Sequence, residues 1–168
     1  MAAPERKLAI NFVQVLPEVS GGIETYAHEL LPRILDRLEG WRVTGLANHE
    51  GFAHYPAWDD RIEWLDCGFG WTDTGRRLVW ESTLGTLKLR GLKPDLLHSM
   101  ANTSILRPGC PQLTTVYDAT QVLRPDPGLP MKAFRQMLRA APRRADLIAT
   151  ISESAAEDVR RAFSTPAE

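Results

Sequence analysis

Two adjacent glycines, Gly21 and Gly22, lie between an apolar run and an amphipathic pattern, and their spacing suits anion binding. Without a Cβ, glycine turns tightly and brings its N–H groups close to a ligand. The helix predicted to follow would aim its free N–H groups and positive dipole end at the same place. This arrangement favours a phosphate. The alternative is a turn required by chain geometry alone, since glycine is common in turns before helices.

The glycine spacing argues against the common nucleotide-binding loops. A dinucleotide fingerprint needs Gly-x-Gly-x-x-Gly, whereas this pair is adjacent and no third glycine follows in register. The Gly-x-x-x-x-Gly-Lys-Ser/Thr loop of nucleotide triphosphatases is absent from the sequence. The turn therefore indicates a phosphate without identifying the molecule that carries it.

Polar residues also follow two later apolar runs. Tyr117 and Asp118 end a β-branched run, and His98 ends a short apolar one. Asp118 could accept a hydrogen bond from a substrate hydroxyl or cap its own loop. His98 could contact a ligand or be a satisfied structural residue, and Asn102 with Thr103 could reach a sugar or form a turn. The Tyr117 phenol, with an ordinary pKa near ~10, is a poor base at neutral pH.

One predicted loop is rich in aromatic and imidazole side chains: His49, His54, Tyr55 and Trp58. Such rings suit a carbohydrate or a lipid-linked molecule, although the loop could equally pack against its own domain. The two histidines lack the neighbouring carboxylates or cysteines of a metal site, and no metal cluster is predicted.

A basic run is interleaved with Phe134, Met137 and Leu138, and consists of Lys132, Arg135, Arg139, Arg143 and Arg144. This composition is typical of a helix attracted to an anionic membrane surface. The alternative is a solvated helix face, with the last two arginines near the negative helix C-terminus.

The bulk composition is that of a globular protein. The chain has 168 residues, of which 43% are hydrophobic and 24% charged, with a net charge of −1. This balance argues against a dedicated nucleic-acid binder. The two cysteines suggest free thiols in a reducing compartment. The first apolar run is too short to span a bilayer, and a cytoplasmic protein is predicted.

The elements that must position these residues alternate between strand and helix. Strands are predicted over 8–16, 42–47, 61–67, 94–98, 113–117 and 146–151. Helices are predicted over 23–38, 74–92 and 131–141 and from Ser154, which stands in capping-box relation to Glu157. In the second helix the inward positions are predicted to be Leu78, Leu84, Leu87 and Leu89. The alternation predicts an α/β fold, with a mainly parallel sheet covered by helices on both faces.

Several segments carry a family resemblance in the same order. They are Gly-Gly-Ile-Glu-Thr-Tyr-Ala-His-Glu-Leu from Gly21, Lys-Pro-Asp-Leu-Leu-His-Ser from Lys93, and Ala-Asp-Leu-Ile-Ala-Thr-Ile-Ser-Glu-Ser from Ala145. Together they resemble the N-terminal domain of family 4 retaining glycosyltransferases, which have the GT-B fold. Between them, Thr-Thr-Val-Tyr-Asp-Ala-Thr from Thr114 places Tyr117 where the family usually has histidine.

The resemblance implies a Rossmann-like, acceptor-binding domain over 1–163 and an interdomain linker beginning at 164–168. The nucleotide-binding C-terminal domain would be a partner, as a missing part of the chain or a separate subunit, and this chain alone would be inactive. The donor would be a nucleotide-diphospho-sugar, with no cofactor. The acceptor would be a glycan or lipid-linked molecule, and transfer with retention would serve polysaccharide assembly at the inner face of the membrane.

The resemblance also implies roles for particular residues. Gly21 and Gly22 would contact the donor diphosphate, and Asp118 and Tyr117 would be the catalytic residues. The acceptor would be bound by His98, Asn102 and Thr120. Two alternatives stay open, namely a stand-alone module that binds a sugar or phosphate and one subunit of a split transferase.

Overall fold

A six-stranded parallel sheet forms the centre of the fold in the computed structural model, which describes residues 5–123 and 129–163. The strands are β1 (Arg6–Asn11), β2 (Trp41–Ala47), β3 (Ile62–Asp66), β4 (Leu96–Ser99), β5 (Gln112–Val116) and β6 (Leu147–Thr150). Their order is β3-β2-β1-β4-β5-β6, and each neighbouring pair is parallel. This is the doubly wound order of Rossmann-like domains, which confirms the predicted fold class.

Helices connect successive strands over most of the sheet. They are α1 (Gly22–Leu35), α2 (His49–His54), α3 (Thr74–Val79), α4 (Gly85–Leu92), α5 (Thr120–Leu123), α6 (Leu129–Arg144) and α7 (Glu153–Phe163). A π turn, Trp80–Leu84, joins α3 to α4, and a 3₁₀ turn, Tyr55–Ala57, follows α2. In the described ranges, no helix has both the length and the apolar character needed to cross a bilayer.

Apolar residues of β1 supply both faces of the sheet. Leu8 and Ile10 belong to one buried cluster, and Ala9 belongs to another. The first cluster includes Leu31 from α1, and the second includes Leu89 from α4. Because successive side chains of a strand point to opposite faces, helices cover the sheet on both sides, as predicted.

The helix after the glycine turn buries one stripe of its surface. Ala27, Leu31 and Leu35 are buried at intervals of four residues. Pro32 lies in the last turn of α1, and its carbonyl accepts the N–H of Asp36. The helix ends at Leu35, whereas the sequence pattern predicts a helix as far as Leu38.

The inward positions predicted for the second long helix are partly wrong. Leu89 is buried, but Leu84 and Leu87 are 52% and 59% exposed. Trp80 and Glu81 are buried instead. Leu87 and Leu89 are two residues apart in α4 and point to nearly opposite sides of it, so both cannot face inward. The π turn also rotates the residues after it relative to a regular helix.

The aromatic loop predicted between β2 and β3 is largely a packed element. Tyr55 is fully buried, with its ring 5.4 Å from the ring of Phe12 and 4.9 Å from that of Trp64. Asn48 accepts the N–H of Gly51 as a helix cap and donates to carbonyls of the β1–α1 loop. The Tyr55 ring is therefore part of the buried core and is not exposed to a ligand.

The last helix begins at Glu153, one residue before the predicted start. Its cap is Ser152, whose hydroxyl accepts the N–H of Ala155 at 3.1 Å. The predicted pairing of Ser154 with Glu157 as a capping box is therefore wrong. The predicted linker at 164–168 lies outside the described residues.

Candidate active site

The strand order reverses direction between β1 and β4. In open parallel sheets, ligands bind in the crevice beyond the carboxyl ends of the strands at such a point. Here β1 ends at Asn11 and β4 at Ser99, which are register partners. The loop leading to the glycine turn and the loop after β4 therefore begin side by side, and the loop after β5 lies next to them.

Gly21 has a backbone conformation that only glycine adopts easily, with φ 52° and ψ −118°. Its carbonyl accepts the N–H of Thr25 at 2.9 Å and so starts α1. The turn before it is closed by the Ser20 hydroxyl, which accepts the N–H of Leu16 at 2.6 Å. The sequence therefore needs glycine at position 21 for the turn itself.

The N–H groups of Gly21 and Gly22 are available to a ligand. Across residues 5–123 and 129–163, neither group has a hydrogen-bond acceptor. Both residues are exposed, and a Cβ added at either would meet nothing within 4 Å. Unpaired donors, open space and a helix N-terminus coincide here, as phosphate binding requires.

Tyr117 connects the loops that follow β4 and β5. Its hydroxyl donates to the carbonyl of Met100 at 3.0 Å, and its N–H donates to Oδ1 of Asn102 at 2.8 Å. The ring meets that of Tyr26 from α1 edge-on at 5.5 Å. Burial, with Tyr26 nearby, raises the pKa of the Tyr117 phenol well above its ordinary value. The Tyr117 phenol is therefore neutral at pH 7 and holds the two loops together, and its catalytic role stays a prediction.

Asp118 and Thr120 lie together on the exposed side of this loop. Oδ1 of Asp118 accepts the N–H of Thr120 at 2.8 Å, which is the local capping arrangement. Within the described part of the chain, Oδ2 of Asp118 and the Thr120 hydroxyl have no hydrogen-bond partner. One carboxylate oxygen and one hydroxyl are therefore open to a substrate.

His98 lies inside the sheet rather than with the exposed pair. It is only 3% exposed, and Nε2 is 3.0 Å from the hydroxyl of Thr115 on β5. Burial lowers its pKa to about 4, so the imidazole is neutral at pH 7. Its role in acceptor binding stays a prediction, and this geometry favours a supporting position beneath the crevice.

A buried polar cluster beneath this edge was not predicted from the sequence. Glu81 is fully buried, and its Oε1 accepts hydrogen bonds from Thr103 at 2.6 Å and Asn11 at 3.3 Å. Burial raises the pKa of Glu81 to about 7, although both hydrogen bonds and the charge of Arg77 act in the opposite direction. A signal was available, since Arg77 and Glu81 are four residues apart, but such pairs usually lie on an exposed face.

His49 has a carboxylate partner that the sequence did not reveal. Its Nδ1 lies 2.6 Å from Oδ2 of Asp66, at the carboxyl ends of β2 and β3. The expectation that His49 lacks a neighbouring carboxylate is therefore corrected. Among the residues described, no three His, Cys, Asp or Glu side chains come together as a metal ion would need.

The basic run on α6 is partly used inside the fold. Arg135 donates to the carbonyl of Val122 at 2.7 Å, and Arg144 donates to that of Leu106 at 3.1 Å. Lys132, Arg143 and Arg144 are exposed, while Arg135 and Arg139 are half-buried. Attraction to an anionic membrane stays a prediction, with fewer exposed charges to support it than the sequence suggests.

A cavity of about 160 Å³ lies at the opposite edge of the sheet. It is lined by residues at the starts of β1 and β2 and after α4, including Lys7, Arg42 and Gly91. None of its lining residues belongs to the crevice at the carboxyl edge. We place the candidate site at the crevice because the unpaired N–H groups of the glycine turn and the reversal of strand order both occur there.

The fold and the site define a Rossmann-like domain with an exposed glycine turn at the reversal of its strand order. Residues 20–168 match the family described as Glycosyltransferase Family 4, and the chain belongs to that family. No curated protein matches the chain.

The solved structures include one described as the PbgP3 protein from Burkholderia pseudomallei. It is similar at 12% sequence identity and a TM-score of 0.40 over 82% of this chain. The match covers 47% of that protein, so this chain spans about half its length.

Proposed function

We propose that this chain is the acceptor-side domain of a glycosyltransferase that uses a nucleotide-diphospho-sugar and retains the anomeric configuration. Family membership supports a transferase role. The observation that carries the finer proposal is the pair of unpaired N–H groups at Gly21 and Gly22, two exposed residues beside the crevice. A diphosphate fits these donors better than a neutral ligand does.

The glycine turn would act on the leaving group. Negative charge grows on the diphosphate as the glycosidic bond breaks. Fixed N–H donors aimed at that charge stabilise the transition state more than the ground state. The nucleotide itself would be held by a second domain across the crevice, as part of a longer chain or as a separate subunit. This chain alone would therefore be inactive.

The acceptor would lie over the loops after β4 and β5. The free oxygen of Asp118 and the hydroxyl of Thr120 would contact an acceptor hydroxyl directly. Tyr117 and Asn102 would hold these loops in place, since the N–H of Tyr117 donates to the side chain of Asn102. A glycan or lipid-linked acceptor suits such a surface, and a cytoplasmic enzyme at the inner face of the membrane would meet both substrates.

The test compares Gly22 with a matched glycine. Gly22 is the first residue of α1, and Gly75 is the second residue of α3; a Cβ meets nothing within 4 Å at either position. In the two-domain enzyme, we expect Gly22→Val to lower kcat for sugar transfer at least about tenfold, which is about 1.4 kcal/mol in the barrier. Gly75→Val should leave kcat unchanged, and chemical denaturation should show similar small effects on stability.

Two outcomes would contradict the proposal. Equal losses of stability and activity in Gly22→Val would mean that the turn serves the fold alone. Micromolar binding of UDP-glucose or GDP-mannose to this chain by itself would contradict the assignment of nucleotide binding to a second domain.

A further inference from the structure

The paired side chains of His49 and Asp66 form a second polar group on the carboxyl edge of the sheet. His49 begins α2 directly after β2, and Asp66 is the last residue of β3. Both oxygens of the aspartate are engaged, since Oδ1 accepts the N–H of Gly68 at 2.8 Å and Oδ2 lies 2.6 Å from Nδ1 of His49. The carboxylate is therefore fixed in place and holds the imidazole.

This contact determines which imidazole nitrogen faces solvent as an acceptor. A carboxylate only accepts hydrogen bonds, so Nδ1 of His49 carries the proton in the neutral ring. Nε2 then has a free lone pair, and among the described residues it has no partner. The side chain is about half exposed. An oriented acceptor that faces solvent suits a ligand hydroxyl.

The neighbouring chain segment adds the half-buried indole of Trp71 and the exposed carboxylate of Glu50. Glu50 accepts the N–H of Trp71 at 2.9 Å, and the N–H of His49 donates to the carbonyl of Phe69 at 3.0 Å. The indole N–H of Trp71 donates to the carbonyl of Gln14 at 3.3 Å. Gln14 belongs to the loop that leads to the glycine turn, so this group is continuous with the crevice.

We infer that His49, Asp66, Glu50 and Trp71 form a carbohydrate subsite. A sugar presents hydroxyls to Nε2 of His49 and to the carboxylate of Glu50, and an apolar ring face to the indole of Trp71. Asp66 acts as a positioning residue that holds the imidazole. This inference rests on the proposed function, in which the ligand is the acceptor glycan.

The first experiment uses the isotopically labelled chain and methyl glycosides of glucose, mannose, galactose and N-acetylglucosamine. Long-range proton–nitrogen NMR spectra should show His49 protonated on Nδ1 at neutral pH. Titration with at least one glycoside should shift the His49 imidazole and Trp71 indole signals saturably. His49→Ala should weaken that binding at least tenfold. His28→Ala, which changes an exposed histidine in tilted contact with the ring of Trp58, should not.

Asp66→Asn provides a milder variant, because the amide keeps the size of the side chain. We expect its His49 signal to show less Nδ1 protonation and its glycoside affinity to fall several-fold. Absence of any saturable shift at His49 and Trp71 with all four glycosides overturns the inference, as does binding that His49→Ala leaves unchanged.

Transfer assays with the two-domain enzyme separate this inference from the proposed function. If His49→Ala leaves the KM for the acceptor and the glycoside affinity unchanged while wild type transfers sugar, the subsite is wrong and the transferase stands. If glycosides bind at His49 but the two-domain enzyme transfers sugar from no nucleotide sugar, the proposed function is wrong and the subsite stands.

Discussion

The Thr103 hydroxyl donates a 2.6 Å hydrogen bond to Oε1 of Glu81, across 22 residues of sequence. The same oxygen accepts from Asn11 at the end of β1. Glu81 thus joins the first strand to the loop after β4, beneath the crevice at the carboxyl edge of the sheet. Its Oε2 is buried and has no partner among the described residues. The protonation state of this buried carboxyl should therefore affect the hydrogen bonds beneath the crevice.

The buried carboxyl of Glu81 should make the protein less stable as pH rises. Its pKa is about 7 when folded against an ordinary 4.5, so the folded state binds more protons between these values. Stability from this group is therefore present below about pH 4.5 and is lost up to about pH 7, by on the order of 3 kcal/mol. Glu81→Gln, which mimics the neutral acid, should remove this loss. Urea unfolding of the wild type and Glu81→Gln at successive pH values measures it, and identical pH profiles of the two proteins would contradict the predicted burial cost.

The imidazole of His98 should act in the opposite direction. Its folded pKa of about 4 lies below the ordinary 6.5, so the unfolded state binds more protons between these values. Stability from His98 therefore rises with pH from about 4 to about 6.5, by a similar amount. The two effects should nearly cancel over pH 4.5–6.5. His98→Gln should reveal the falling profile of Glu81 in urea unfolding, and Glu81→Gln the rising one; identical slopes in both variants would contradict this assignment.

The alternation of strands and helices was predictable because buried parallel strands and amphipathic helices leave different periodicities. The place of Gly21 followed from the same pattern. The π turn was harder to predict, since hydroxyl groups drive it. Ser82 donates to the carbonyl of Leu78 at 2.7 Å and Thr83 to that of Val79 at 2.6 Å, where they compete with backbone donors.

The polar pairs of the site could not be predicted because the register of the sheet creates them. Asp66 meets His49 only because Ala47 and Asp66 are partners where β2 and β3 end. Glu81 meets Asn11 across 70 residues of sequence. In each case neither side chain is unusual in its own segment, and only the three-dimensional arrangement gives it a partner.

Gly21→Ala should destabilise the fold, whereas Gly22→Ala should not. Position 21 has φ 52° and ψ −118°, which strains any residue with a Cβ by about 1–3 kcal/mol. Gly22 is helical and a Cβ there meets open space, so alanine should be neutral or stabilise the helix by up to about 1 kcal/mol. Thermal and urea unfolding measure both. Equal stability of the two variants would mean that the turn relaxes without cost.

Tyr117→Phe should cost about 1–3 kcal/mol, because it leaves the carbonyl of the fully buried Met100 without its hydroxyl donor. The matched control is Tyr26→Phe. It removes a hydroxyl that has no hydrogen-bond partner among the described residues and keeps the edge contact between the two rings. If Tyr117 positions the loops after β4 and β5, kcat in the two-domain enzyme should fall and the Asn102 side chain should become less ordered. A large loss of kcat without any loss of stability would instead indicate direct contact with the sugar.

Truncation of three leucines should show which side of α4 packs against the sheet. Leu89→Ala should cost about 2–5 kcal/mol because Leu89 is buried against the sheet. Leu84→Ala and Leu87→Ala should each change stability by less than about 0.5 kcal/mol, since both side chains are mostly exposed. Urea unfolding of the three variants measures this difference. Leu87 and Leu89 are two residues apart in α4 and point to nearly opposite sides of it, so similar large losses in all three variants would contradict this burial pattern.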